Sequence, residues 1–313
     1  MGLPIDTSGA RRKMKIVVGE DEAITVAMPR NFNPGTMYPF LSRAMAIYDS
    51  PGCTKVCLDF RILNFIEPVG VVVLSNLIEY LERRAVQTVF QYHRLRRQAT
   101  EYLDDEGFFL RYGGERLFPK SSVRPTTMPL QRIDGPRSTE YLNMKLMPWI
   151  GRAVDQSPQS LDALRSSLEE IFHNFRDHSG VDAGCAFAQH FPSDKQIRIA
   201  IADFGAGIPN EIRRDLPNVD DAEAMRLACE EGFTTGKNGH NRGAGLPNLI
   251  RYVTRLEGMV VLAAGNATLT ALPHSQKART VRGFFPGTMV QVKLPTGTLR
   301  RAAADVEPED FEW

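Results

Sequence analysis

A helix predicted over SLDALRSSLEEIFHNFRDHSG (Ser160–Gly180) carries the first residues that could do chemistry. Glu170, Asn174 and Asp177 step by four and three, so they share one stripe. Leu161, Leu164, Leu168, Ile171 and Phe175 step by three, four, three and four and form an apolar stripe. At about 100° per residue the two stripes lie on nearly opposite sides of the helix. The polar stripe contains acids and an amide but no Lys or Arg. Oxygen groups of this kind suit Mg²⁺, and an acid among them suits general-base work. Taken alone, a solvated polar face is the better reading of the same pattern.

The second constellation is QIRIAIADFGAGIP (Gln196–Pro209). Ile197, Ile199 and Ile201 alternate along a half-buried strand that ends at Asp203. Gly205 and Gly207 then allow backbone to approach a ligand closely. A carboxylate in that position can accept the exocyclic amine of a nucleobase, although an ordinary strand-to-helix turn reads the same way. A dinucleotide fingerprint would need glycine where Asn210 stands, which excludes it.

The third is EGFTTGKNGHNRGAGLPNLIRYV (Glu231–Val253), a glycine-rich stretch followed by a helix opened by Gly245-Leu-Pro-Asn. Free N–H groups at such an opening favour phosphate. GFTTGKN is not a Walker loop: its glycines are too close together, and Asn238 stands where Ser or Thr belongs.

These segments need elements to hold them. The chain has 313 residues, enough for roughly two domains at about 150 residues each. Residues 14–112 alternate strand and helix patterns: KIVVG (Lys15–Gly19), AITVAMP (Ala23–Pro29), KVCLDF (Lys55–Phe60) and VQTVFQY (Val86–Tyr92) read as strands. Between the last two, Val73, Leu74, Leu77, Ile78 and Leu81 mark a helix. A small α/β layer fold follows. Residues 113–137, rich in Pro, Gly, Ser and Thr, read as a linker. Residues 138–296 form a second α/β domain bearing the three constellations, and 297–313 a charged tail.

Composition narrows the classes. Lys+Arg number 38 and Asp+Glu 37, a net charge of +1. There is thus no strong nucleic-acid signal, and the basic cluster Arg94, Arg96 and Arg97 reads as a solvated helix face. No apolar run reaches 18 or more residues, so no membrane span is expected. The opening MGLPIDTSGARRKMK lacks the apolar core of a secretory signal. Cys53, Cys57, Cys185 and Cys229 form no CxxC pair, so the expected compartment is the reducing cytoplasm.

In order, ExxxNxxDH on a helix, DxGxGIP after a strand, a glycine-rich segment ending in GAGL, and PGTMVQVKLP (Pro286–Pro295) resemble the nucleotide-binding domain of the gyrase, heat-shock chaperone, histidine kinase and MutL (GHKL) superfamily. The resemblance implies a two-layer α/β sandwich of the Bergerat type, with ATP and Mg²⁺ as cofactors. It implies that Glu170 is the catalytic base and Asn174 the Mg²⁺ ligand, with Asp177 beside them. It implies that Asp203 recognises the adenine amine in a pocket shaped by Gly205, Gly207 and Ile208. Gly243, Ala244, Gly245 and Leu246 would cradle phosphates, Thr288 would lie near adenine, and Lys237 could reach a phosphate. The spacing of Glu170, Asn174 and His178 is nearest to the anti-sigma-factor serine kinases of that superfamily. The preceding helix, Ser138–Ser157, has no His to serve as a histidine kinase phosphoacceptor.

KVCLDFRILNFIEPVGVVVLSNLIEYLERRAVQTVF (Lys55–Phe90) resembles the core of a STAS domain, the fold of anti-sigma-factor antagonists. Pro68 stands where that family places its phosphoaccepting Ser, which puts the family's phosphoswitch in doubt. The combined expectation is a regulatory ATPase that hydrolyses ATP slowly to switch conformation and partner binding. An anti-sigma-type serine/threonine kinase and a non-hydrolysing ATP-gated interaction module are the alternatives. Expected partners are a regulatory target protein and, since relatives often dimerise, a second copy of the chain. The sequence names neither the partner nor the pathway.

Overall fold

The computed structural model describes residues 23–48, 52–92, 98–134, 138–178, 183–233 and 245–304, with the side chains of 47–48, 133–134, 174–178 and 183 left aside. Lys15–Gly19 and the cluster Arg94, Arg96 and Arg97 lie outside the described residues. The fold is mixed α/β.

The N-terminal half holds a three-stranded parallel sheet, order β1 (Ile24–Ala27), β3 (Lys55–Asp59), β5 (Gln87–Gln91). A two-stranded parallel sheet joins β2 (Asn31–Phe32) to β4 (Phe65–Ile66). Helices α1 (Pro34–Tyr48), α2 (Pro68–Arg83), α3 (Gln98–Asp105) and α4 (Phe108–Gly113) surround these strands.

The C-terminal half is built on a five-stranded antiparallel sheet. Its order is β6 (Thr127–Asp134), β7 (Ala183–Phe191), β8 (Gln196–Ala202), β10 (Ser275–Pro295), β9 (Met259–Leu272). Helices α5 (Ser138–Tyr141), α6 (Met147–Val154), α7 (Asp162–His178), α8 (Ile208–Arg213), α9 (Asp221–Leu227), α10 (Gly245–Arg255) and α11 (Thr296–Ala304) accompany it. One π-helical turn, Leu142–Leu146, joins α5 to α6.

Both faces of this sheet are covered, and the strand alternation shows by what. Ile197, Ile199, Ile201, Val290 and Val292 point to one side and share an apolar cluster with Leu164, Leu168 and Ile171 of α7 and Leu249 and Val253 of α10. Cys185, Phe187, Ala200, Ala202, Ala263 and Met289 point to the other side and join the core of the N-terminal half. The small side chains at Ala200 and Ala202 let α2 approach β8 closely. Every residue of α2 from Pro68 to Ile78 is buried, because the helix lies between the small parallel sheet and the large one. The sequence pattern showed a half-buried β8; its second face is closed by alanines that alternation alone leaves unmarked.

A polar cluster sits at the same contact. Glu67, at the start of α2, meets Arg198 of β8 at 3.5 Å and Lys293 of β10 at 3.3 Å, and accepts a hydrogen bond from the Gln291 amide at 3.1 Å. The Arg198 guanidinium also lies over the Phe191 ring, 4.1 Å from its centre.

The stretch read as a linker is held at both ends. Asp104 on α3 accepts the backbone N–H groups of Leu117 and Phe118 at 2.8 and 2.9 Å and the Ser121 hydroxyl. Thr127–Asp134 then pairs with β7 as strand β6. Its turn-forming composition masks a strand because β6 is an edge strand with a register shift between Met128 and Gln131. The expected charged tail, 297–313, begins inside helix α11 (Thr296–Ala304), whose Leu299 and Ala303 are buried against the core.

Candidate nucleotide site

Asp203 follows β8 directly and is 3% exposed. Its backbone N–H donates to the Thr288 carbonyl at 3.0 Å, continuing the β8–β10 ladder by one step. Its Oδ1 accepts the Gly205 N–H at 2.6 Å, and the Thr288 N–H also reaches the carboxylate. Burial pushes its pKa up to about 7, against the lowering effect of those two backbone N–H groups. No cationic side chain among the described residues takes part.

Glycines make this arrangement possible. A side chain at Gly287 would put its Cβ 2.3 Å from the Asp203 carbonyl oxygen and 2.7 Å from Oδ1, and Gly287 has φ +97°. A Cβ at Gly207 (φ +78°) would lie 2.7 Å from the Gly287 carbonyl oxygen. The two turns therefore cross at van der Waals contact over the carboxylate. The Ile208 N–H donates to the Thr288 hydroxyl at 3.3 Å at the start of α8. Asp203, Gly205, Gly207, Ile208 and Thr288 thus form one cluster, and Gly287 belongs to it as well. The sequence reading passed over Gly287, although its place before Thr288 in PGTM was the available signal.

Glu170 lies on α7, half-buried, where α7 packs against α10. Its pKa is raised, first by burial; a side-chain hydrogen bond with Asn248 and the nearby His173 act the other way. Asn248 stands in the first turn of α10, which opens at the buried Gly245. Asn248 Oδ1 accepts from Arg251 at 2.6 Å, and Arg251 pairs with Glu231 at 2.6 Å. A chain of polar contacts therefore runs from Glu231 to the Glu170 carboxylate, and neither Asn248 nor Arg251 was singled out from the sequence.

Other expected residues fall in two groups. Ile208 and Leu246 pack partly buried against the apolar cluster that includes α7 and α10. Asn174 and Asp177 follow Glu170 along α7, but their side chains lie outside the described residues, as do Lys237, Gly243 and Ala244 entirely. Among the described residues, no group of three or more His, Cys, Asp or Glu side chains could hold a metal ion.

The segment that leads from β8 towards α10 is anchored at its base. Asp220 caps α9 by accepting the Glu223 N–H at 2.8 Å. Asp221 pairs with Arg213 and accepts the Asn266 N–H of β9 at 2.6 Å, where a Cβ at Gly265 could not fit.

Among the described residues no helix is long and apolar enough to cross a membrane. No protein-family model and no curated protein matches the sequence. Among solved structures, the chain is similar to the histidine kinase domain from the Erythrobacter litoralis EL346 blue-light activated histidine kinase. The identity is 13% and the TM-score 0.27, over 76% of this chain and 90% of that one.

Proposed function

We propose that this chain is a regulatory nucleotide-binding protein of the GHKL type, which binds Mg·ATP between α7, α10 and the end of β8 and hydrolyses it slowly to change conformation. The observation that carries the reading is the Asp203 carboxylate. A buried acid without a cationic partner is costly to keep. Here backbone N–H groups hold it in a glycine cradle, an arrangement fitted to a neutral donor such as the adenine amine. The sequence motifs around it, in the order quoted above, support the same ligand.

Glu170 then faces the triphosphate from α7. Its partial burial makes it a stronger base, and Asn248 fixes its direction. In this reading Glu170 takes a proton from an attacking water. The N–H groups at the opening of α10 receive phosphate oxygens. Asn174 would hold Mg²⁺, which supplies neutralisation of phosphate charge when bound.

The same base could deprotonate a protein hydroxyl instead. Pro68 offers no hydroxyl and is buried, and the neighbouring Glu67 is tied to β8 and β10, so the STAS-like position of this chain is not the substrate of such a transfer.

The test is incubation of the purified chain with Mg²⁺ and γ-labelled ATP, alone and with a cell extract. Release of free phosphate is the expected result. Label transferred to a protein would replace hydrolysis with kinase activity, and retention of intact ATP would leave a sensor. Calorimetry that detects no ATP uptake would end the reading.

A further inference from the structure

Helix α2 of the N-terminal half touches the chain on both sides of Asp203. The Asn76 amide, 4% exposed, donates to the Ala202 carbonyl at 2.9 Å and to the Val72 carbonyl of its own helix at 3.0 Å. One turn later the Tyr80 ring meets the Phe204 ring edge-on, with centres 5.9 Å apart. Phe204 in turn stacks edge-on against Phe285 of β10 at 5.6 Å. Opposite Asn76, a Cβ at Gly184 would lie 2.8 Å from the Ala202 oxygen and 3.6 Å from the Asp203 Cβ, so β7 also crowds this point.

We propose that Asn76 is a positioning residue for the nucleotide-binding carboxylate, and that α2 thereby couples the N-terminal half to base recognition. The inference rests on the nucleotide reading above. Residues 202 and 204 both touch α2, and Asp203 lies between them. A buried amide that donates to a strand-end carbonyl fixes the orientation of the peptide joining Ala202 to Asp203. The same oxygen faces Cys185 of β7 in the sheet ladder, so the Asn76 amide is its second donor. Losing it keeps the ladder partner but removes the contact that holds this peptide towards α2 and leaves a buried polar pair half-made. With the ladder to β7 and β10 intact, the expected change is a small tilt of that peptide, enough to shift the Asp203 carboxylate against the Gly205 and Thr288 N–H groups. A shift or strain of α2 caused by a partner on the N-terminal half would reach the base pocket by the same route.

The test compares ATP with inosine triphosphate, which carries an oxo group in place of the 6-amino group. A correctly set Asp203 prefers ATP. In Asn76→Leu, ATP affinity is expected to fall about tenfold while inosine triphosphate changes less than about twofold, as for loss of one well-placed hydrogen bond to a charged group. Ser75→Ala, which removes a hydroxyl bonded to Val71 on the same helix, should leave the ratio of the two affinities unchanged. Should Asn76→Leu not fold, Tyr80→Ala, at a half-exposed position, tests the other contact, and its ratio should fall in the same direction. A wild-type preference for ATP that survives both folded variants overturns the positioning role alone. A wild-type chain with no preference overturns the nucleotide reading and this inference with it.

Discussion

Asn248 bridges the two helices that frame the candidate site: its side chain, in the first turn of α10, hydrogen-bonds the Glu170 carboxylate of α7. Arg251 and Glu231 support it from behind. Glu170 is therefore coupled to the chain segment that begins at Glu231. A hydrogen bond that favours the carboxylate lowers its pKa, opposing the effect of burial.

Asn248→Ala is accordingly expected to raise the Glu170 pKa. A base works only when deprotonated, so turnover falls as pH drops through that pKa. The acidic limb of the turnover profile should move to higher pH, with ATP affinity little changed. A turnover–pH series for the variant and the wild type checks this, and coincident limbs would remove Asn248 from the site.

Glu170→Gln keeps the shape and the Asn248 contact but cannot accept a proton. Turnover is expected to fall by about 10²–10⁴-fold, the usual contribution of a positioned base. Binding of Mg·ATP should persist within a few-fold, as read by calorimetry. Unchanged turnover would show that Glu170 is not the base.

Legibility in the sequence followed the kind of interaction. The α7 stripe was readable because one side of the helix is buried, so Leu161, Leu164, Leu168 and Ile171 occupy the period that burial demands. Asp203 was readable because a strand end and spaced glycines sit beside it. The cover on the sheet's second face was not readable, since Ala200 and Ala202 carry no strong hydrophobic signal, and their partners in α2 are more than a hundred residues away. α2 did carry a hint: apart from Ser75 and Asn76, PVGVVVLSNLI has no polar side chain on any face, which suits a helix enclosed on every side. Asn248 was invisible because its partner is set by the crossing of α7 and α10, not by spacing along either helix. Strand β6 was hidden by loop-like composition, because an edge strand tolerates residues that a central strand does not.

Asp203 should show a stability cost that depends on pH. Its folded pKa of about 7 lies above the ordinary 3.8, so between these values the folded state holds more protons than the unfolded state. Stability therefore falls as pH rises through that window, and the cost is complete above about pH 7. Asp203→Asn removes the charge, and denaturation at pH 8 should show a gain on the order of 2 kcal/mol that vanishes near pH 4. The gain stays below the full burial cost because a carboxamide offers one acceptor to two backbone N–H groups. ATP affinity should fall in the same variant, more than that of inosine triphosphate. In the wild type, an amine donating to the carboxylate favours its charged form. ATP binding should then release protons near pH 7, which calorimetry in buffers of different ionisation heat detects.

Glu67 offers a test of how the two halves are joined. Replacing it with Ala leaves Lys293 facing Arg198 across β8 and β10, both largely buried, and deprives the Gln291 amide of its acceptor, while Arg198 keeps its pair with Asp194 at 2.6 Å. Removing one partner from a fully buried pair costs about 3–5 kcal/mol, and because Arg198 keeps Asp194 the expected cost lies at or below the lower end of that range. Glu67→Gln keeps an acceptor for Gln291 but not the charge, and should cost less. If the halves unfold as one unit, denaturant melts followed by far-ultraviolet circular dichroism and by tryptophan fluorescence should shift together. Trp149, on α6, reports the C-terminal half, remote from α2 across the sheet. A Glu67→Ala chain whose fluorescence transition stays in place while its circular dichroism shifts would mean that the N-terminal half can detach from the sheet. In that case α2 would be a removable cover, not part of the sheet's core.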